Sequence, residues 1–223
     1  MRSVDHGDRP AAAANPGGLS VVADTRIATD GRRLRSERTR QHLIEAYLAL
    51  LRESPRVPTS GQIAERAGYS VRSLFERFPD LMTLSLAAAD MAFARANAQA
   101  VIRNVSADRA TRIRAQVETR AQTCEEWLPL WRALVLNQHL SPELHQRIRQ
   151  VRQAIVARLE LMYRPELDTL DAIAHKRVLI ALEAITDFES WARMREMAGL
   201  AVPEACRVWI RAVDSLLPAT PVS

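Results

Sequence analysis

Thr59-Ser60-Gly61-Gln62-Ile63-Ala64-Glu65-Arg66-Ala67-Gly68-Tyr69-Ser70-Val71-Arg72-Ser73-Leu74-Phe75-Glu76-Arg77-Phe78 is the stretch from which the rest of the chain is read. It predicts two short helices joined by a tight turn. Pro58 ends what precedes it, and Thr59 and Gln62 stand at capping-box spacing. Ile63, Ala64 and Ala67 form one apolar strip, and the small Ala64 lets a second helix cross closely. Gly68 supplies the left-handed residue that closes the first helix, and Tyr69 plugs the corner. Ser70 is placed to cap the second helix. There Leu74 and Phe78 face inward, four residues apart, and Val71, Arg72, Ser73, Phe75, Glu76 and Arg77 face out. This is the pattern of a helix-turn-helix, whose second helix can enter the major groove of DNA.

Charge agrees with that reading. Of 31 basic and 26 acidic residues, ten Arg and five Glu lie between Arg32 and Pro79, which leaves 21 of each sign elsewhere. The net charge of +5 therefore belongs to this segment, and attraction to a polyanion is its direct physical consequence. Because Lys176 is the only lysine, the preference for Arg over Lys carries no meaning; the placement of the charge does. On the recognition helix Arg72 and Arg77 suit either a guanine edge or a phosphate. Ser60 and Ser73 suit phosphate contacts, and Val71 and Phe75 complete the outward face. Glu76 either accepts from a cytosine amine or pairs with Arg72 or Arg77, and the spacing favours pairing.

The segments Ile63-Ala64-Glu65-Arg66-Ala67-Gly68-Tyr69-Ser70, Ser73-Leu74-Phe75 and Phe78-Pro79-Asp80 resemble the signature of the TetR family of transcriptional regulators. The likeness spans about Arg38 to Leu86, a specific combined pattern. It implies an N-terminal DNA-binding domain and a larger helical domain that dimerises and binds a small-molecule effector. It also implies a tyrosine hydroxyl where this chain has Phe75 and a lysine where it has Leu81, so two phosphate contacts of such proteins are missing. Repression of a palindromic operator by a homodimer, relieved by the effector, is the implied function; activation uses the same residues. A non-sensing architectural DNA binder is a third reading, opposed by the roughly 140 residues of helical pattern after the motif, enough for a second functional body.

The remaining pattern predicts an all-α fold of about nine helices without strand-like alternation. Residues 1–31 hold four of the seven glycines and no sustained apolar period, which predicts a disordered tail. The basic run at its end, with Arg33 and Arg35, reads as a flexible arm for phosphates or the minor groove. The DNA-binding domain is expected at 32–80 and the effector and dimerisation domain at 81–223. Expected helices run from Ser36 to Glu53, Leu81 to Val101 and Asp108 to Glu126, where Ile113, Val117 and Cys124 face inward. Pro129 marks a break between Trp127 and Trp131. A helix follows from Ser141-Pro142-Glu143 to Tyr163, then one long helix over 169–198 closed by Gly199, and a last one over 203–217. The final two are apolar on more than one face. The resemblance makes them the homodimer interface, in keeping with the two-fold symmetry that palindromic half-sites favour.

Candidates for an effector pocket are Trp127, Trp131, His139, Tyr163, Phe188, Trp191 and Met194, although such residues are also ordinary core material. Arg132, Arg158 or Arg193 placed inside would suit an acidic ligand; without them an apolar ligand is expected. No enzyme is expected: His139 and His145 lack metal spacing, and there is neither a phosphate loop nor a nucleophilic triad. No metal and no cofactor is expected. Cys124 and Cys206 read as buried thiols of a reducing compartment rather than a disulfide. No apolar run is long enough to span a membrane and no signal peptide is evident, so a cytoplasmic location is expected.

Overall fold

A computed structural model describes residues 18–54, 56–99 and 104–221, with side chains from residue 33 onward except that of residue 140. Among the described residues it is all-helical, with ten α-helices and no strand. In order they are α1 (Gly18–Glu53), α2 (Ser60–Ala67), α3 (Val71–Phe75), α4 (Leu81–Gln99), α5 (Arg109–Asn137), α6 (Pro142–Met162), α7 (Arg164–Leu167), α8 (Ala172–Ile185), α9 (Phe188–Ala192) and α10 (Val202–Leu216). Two compact units are distinguished, Met1–His42 and Leu43–Ser223. The second holds the end of α1 and all later helices.

In the first unit the described chain is the amino-terminal part of α1. That helix starts at Gly18 rather than Ser36, so residues 18–31, expected to be disordered, are helical. The expectation for residues 1–17 lies outside the described residues. From Leu19 to Glu53 there is no proline, and Gly31 is the only glycine, at a cost of about 1 kcal/mol. Arg33 and Arg35 are exposed helical residues, not parts of a flexible arm. The Thr39 hydroxyl donates back to the Arg35 carbonyl at 3.0 Å, one turn away.

In the second unit Leu43, Tyr47, Leu48 and Leu51 of α1 are buried together with Ile63, Leu74, Phe78 and Leu84. A buried hydrogen bond of 3.1 Å joins the Tyr47 and Ser85 hydroxyls, and Arg95 pairs with Glu45 at 3.2 Å. Both tie α1 to α4. Helix α5 is the hub beyond them, packing against α4, α6, α9 and α10. Its stripe Ile113, Val117, Cys124 and Trp127 is at most 4% exposed.

The expected break at Trp127 to Trp131 does not occur, because α5 runs through Pro129. A proline inside a helix costs about 3 kcal/mol. Trp127, Leu130 and Leu134 flank it and are all buried. Each contributes about 1.5–3 kcal/mol on burial, so packing outweighs the proline. The reverse holds for the long helix expected over 169–198. It ends at Ile185 and restarts at Phe188. The Thr186 hydroxyl donates to the Leu182 carbonyl at 2.6 Å, and the Asp187 carboxylate accepts from the Ser190 amide at 2.6 Å. These short polar side chains satisfy the backbone locally and favour a helix end over continuation. A π-turn over Arg193–Met197 follows, and Gly199, at φ +66°, closes it as expected.

Candidate nucleic-acid interface and ligand cavity

The helix-turn-helix is fixed by its own side chains. Thr59 accepts from the Gln62 amide at 3.3 Å, and the Gln62 side chain accepts from the Thr59 amide at 2.9 Å. Gly68 sits at φ +75°, and the Tyr69 amide reaches the Ala64 carbonyl at 2.9 Å. The turn therefore needs the residue type it has. Ser70 caps α3 through the Ser73 amide at 3.1 Å. A bidentate pair from Arg66 to Glu53, at 2.7 and 2.6 Å, fastens α2 to the end of α1.

Helix α3 exposes Val71, Arg72 and Phe75, whereas Ser73 and, in the turn after the helix, Arg77 are half-buried. Leu74 and Phe78 are fully buried, whereas Val71 and Phe75 are 39% and 44% exposed. The Arg72 side chain is 89% exposed and that of Arg77 28%. Glu76 pairs with both, each at 3.2 Å. Hydrogen bonds from Arg72 first, then Arg77, hold its carboxyl below the usual carboxylate range. Ser60 and Ser73 are half-buried, and the Ser70 hydroxyl donates to that of Ser73 at 3.1 Å. Helix α3 ends at Phe75, and a last turn carries the Phe78 amide to the Leu74 carbonyl at 2.9 Å before Pro79 prevents continuation. Asp80 then starts α4 by accepting from the Thr83 amide at 2.6 Å.

A partly open cavity of about 120 Å³ lies among α4, α5, α6 and Phe188. Trp127, Trp131 and Phe188 line it, as expected of them. Trp131 stacks on Phe188, centroids 4.8 Å apart and planes 17° from parallel. The other four candidates are elsewhere. His139 is exposed on the short turn after α5. Tyr163 is 1% exposed in the core beside Glu166 and Arg112, and burial pushes its phenol up. Trp191 packs on Trp209, centroids 4.7 Å apart, with its indole N–H donating to Glu125 at 2.6 Å. Met194 is half-buried against the core. An aromatic at helical spacing looks the same in sequence whether it faces a cavity or a neighbouring side chain, and packing alone separates the two cases.

The charged lining is basic. Arg158 lines the cavity, Arg132 pairs with Glu189 and Glu196 instead, and Arg193 is exposed. Arg158 donates through Nε to Gln116 at 2.6 Å, and burial lowers its guanidinium from the ordinary value. Arg147 lines the cavity and pairs with Asp90 at 2.6 Å. The residue that the sequence reading missed is Arg120. It is 7% exposed, donates through Nε to the Thr186 carbonyl at 2.9 Å, and sets its guanidinium 4.5 Å from the centre of the Phe188 ring. Its signal was present: Arg120 falls between Val117 and Cys124 in the three-four spacing of the inward stripe.

Among the described residues no group of three or more His, Cys, Asp or Glu could hold a metal ion, and no helix is long and apolar enough to cross a membrane. Cys124 is fully buried, and burial raises its thiol to about 11, the opposite of an activated nucleophile. Ile173 and Ile180 on α8 and Val208 on α10 are exposed apolar residues at 65%, 58% and 47%.

No protein-family model matches the chain, and no curated protein matches it. A solved structure does: the crystal structure of a protein from Rhodococcus sp. assigned to the TetR family of transcriptional regulators. It is 17% identical to this chain, with a TM-score of 0.63, over 80% of this chain and 98% of that one. The likeness is one of fold.

Proposed function

We propose that the chain is a DNA-binding transcriptional regulator that responds to a small molecule. The observation that carries this is α3: a helix capped by Ser70 and anchored by Leu74, with Phe78 just beyond it, whose outer face of Val71, Arg72 and Phe75, followed by half-buried Arg77, lies on the segment holding the net positive charge. Exposed arginines beside an apolar patch suit a major groove, where guanidinium groups meet guanine or phosphate and apolar groups meet thymine methyls. Residues 32–80 form the DNA-binding part of this proposal and 81–223 the effector and dimerisation part. The fold similarity to a TetR-family regulator supports this division.

The exposed apolar residues of α8 and α10 support a homodimer through those helices, which presents two α3 helices to a palindrome about 34–36 Å from centre to centre. The cavity lined by Trp127, Trp131 and Phe188 is the effector site. A ligand there acts only through its different affinity for DNA-competent and DNA-incompetent states. Repression relieved by the effector is the proposed outcome. A mobility-shift experiment on DNA upstream of the protein's own gene, with and without fractionated metabolite extract, tests it. A sequence-specific complex that one fraction dissolves is expected. Equal binding to all duplexes would favour an architectural role, and consumption of a component of the extract an enzyme.

A further inference from the structure

We infer that the cavity takes an anionic ligand with an apolar body, its carboxylate or equivalent acid held by Arg120. This rests on the cavity being the effector site and names the chemistry of what enters it. Among the described lining residues there are three arginines, Arg120, Arg147 and Arg158, and no Asp or Glu. Arg147 already has Asp90, and Arg158 donates to Gln116. Arg120 differs. It is buried, its Nε is committed to the Thr186 carbonyl, and among the described residues no carboxylate pairs with it.

A buried cation without a counterion is costly, and proteins ordinarily match it. The chain does so eight residues earlier on the same helix, where buried Arg112 meets Glu166. The same helix thus gives one buried arginine a protein carboxylate and leaves the other facing a cavity. A guanidinium has five N–H donors in a fork that fits a carboxylate bidentately. With Nε occupied, the terminal nitrogens of Arg120 remain for a ligand. The rest of the wall is mostly apolar and aromatic: Leu130, Leu134, Ile148 and Ile155 accompany Trp127 and Trp131. Its uncharged polar members are Asn97, Gln116, Thr119 and Thr123. That wall selects an acid with a hydrophobic body, and the absence of lining carboxylates selects against a cation.

Three pairs of probes test this on the full-length protein: benzoate and benzamide, 2-naphthoate and 2-naphthamide, decanoate and decanamide, each titrated by tryptophan fluorescence and calorimetry. At least one acid is expected to bind about tenfold tighter than its amide, a difference of about 1.4 kcal/mol. Arg120→Met is expected to erase that preference, bringing the acid's affinity down to that of its amide. No acid surpassing its amide, with absence of all binding included, overturns the inference; so does a preference that survives Arg120→Met. Should that variant fail to fold, as circular dichroism would show, the wild-type ranking decides alone. DNA release is read separately by mobility shift. An acid that binds through Arg120 and never alters a DNA complex upholds the ligand class and removes the regulatory reading.

Discussion

Arginine occupies opposite settings in the helix-turn-helix and in the cavity among α4, α5 and α6. Arg72 is almost wholly in solvent and holds a loose single contact to Glu76, while Arg120 is almost wholly enclosed and has no carboxylate among the described residues. In water an ion pair is worth little, about 0–1 kcal/mol. Glu76 therefore keeps Arg72 and Arg77 oriented on the free protein and gives them up readily to phosphate or a base. At buried Arg120 the same charge is poorly solvated, so an arriving anion gains more there than at the surface. The exposed arginines suit a polyanion that is always present, and the buried one suits a small anion that comes and goes.

The largest expected effect sharpens the contrast within α5. Arg112→Met strips the buried Glu166 of its partner, and such a change costs about 3–5 kcal/mol. Arg120→Met removes a cation that has no protein counterion and leaves only the Thr186 carbonyl short of a donor, about 1–3 kcal/mol. Urea unfolding of the two variants side by side checks this. An equal loss would mean that Arg120 has a partner in the free protein and that the contrast is false.

On the outer face, Arg72→Ala is expected to lose about 1–3 kcal/mol of discrimination at one base position if Arg72 reads a base edge. Affinities for single-base variants of a bound site measure it. Uniform weakening across sequences, with a shallower salt dependence, would make Arg72 a phosphate clamp. Glu76→Gln should strengthen binding at low salt by removing a negative charge and releasing both arginines. Thr59→Ala removes one cap of α2 and should cost about 1 kcal/mol, read from the denaturation midpoint.

The smallest effect is the response to acid. Glu53, Glu76 and Asp80 are held below their ordinary values, Glu53 and Glu76 chiefly by arginine hydrogen bonds and Asp80 chiefly by the Thr83 amide. Their stabilisation is complete above the unfolded carboxylate values of about 3.9–4.3 and is lost as pH falls through the lower folded values. The midpoint for unfolding should stay level from neutral pH to about 5 and fall below about 4. A midpoint that rose on acidification would contradict the pairing of Glu76 with Arg72 and Arg77.

The two regions also differ in how far they can be read from residues alone. The helix-turn-helix is local. Thr59, Gln62, Gly68, Ser70, Leu74 and Phe78 act on neighbours a few positions away, so spacing specifies geometry. The cavity is not local: Arg120 meets Thr186 and Phe188 across more than sixty positions, and its walls come from four helices. Trp127 and Trp191 each follow a glutamate by one or two positions on a helix, and only the packed structure shows that Trp191 meets Trp209 while Trp127 lines the cavity. The helix ends that were misread share one cause. Pro129 and Thr186 carry local signals of opposite strength to their weight in the packed protein, where burial beside Pro129 overrides a break and polar capping beside Thr186 creates one.

The central claim, that α3 lies against a duplex and reads it, is tested most directly by in vitro selection. The full-length protein would be incubated with a pool of random duplexes, and the retained DNA sequenced. The account predicts an inverted repeat with half-sites one helical turn apart, about 10–10.5 base pairs, whose enrichment is weakened or altered in sequence by Arg72→Ala. Failure to enrich any sequence, or enrichment of the same repeat to the same degree by the variant, would contradict it.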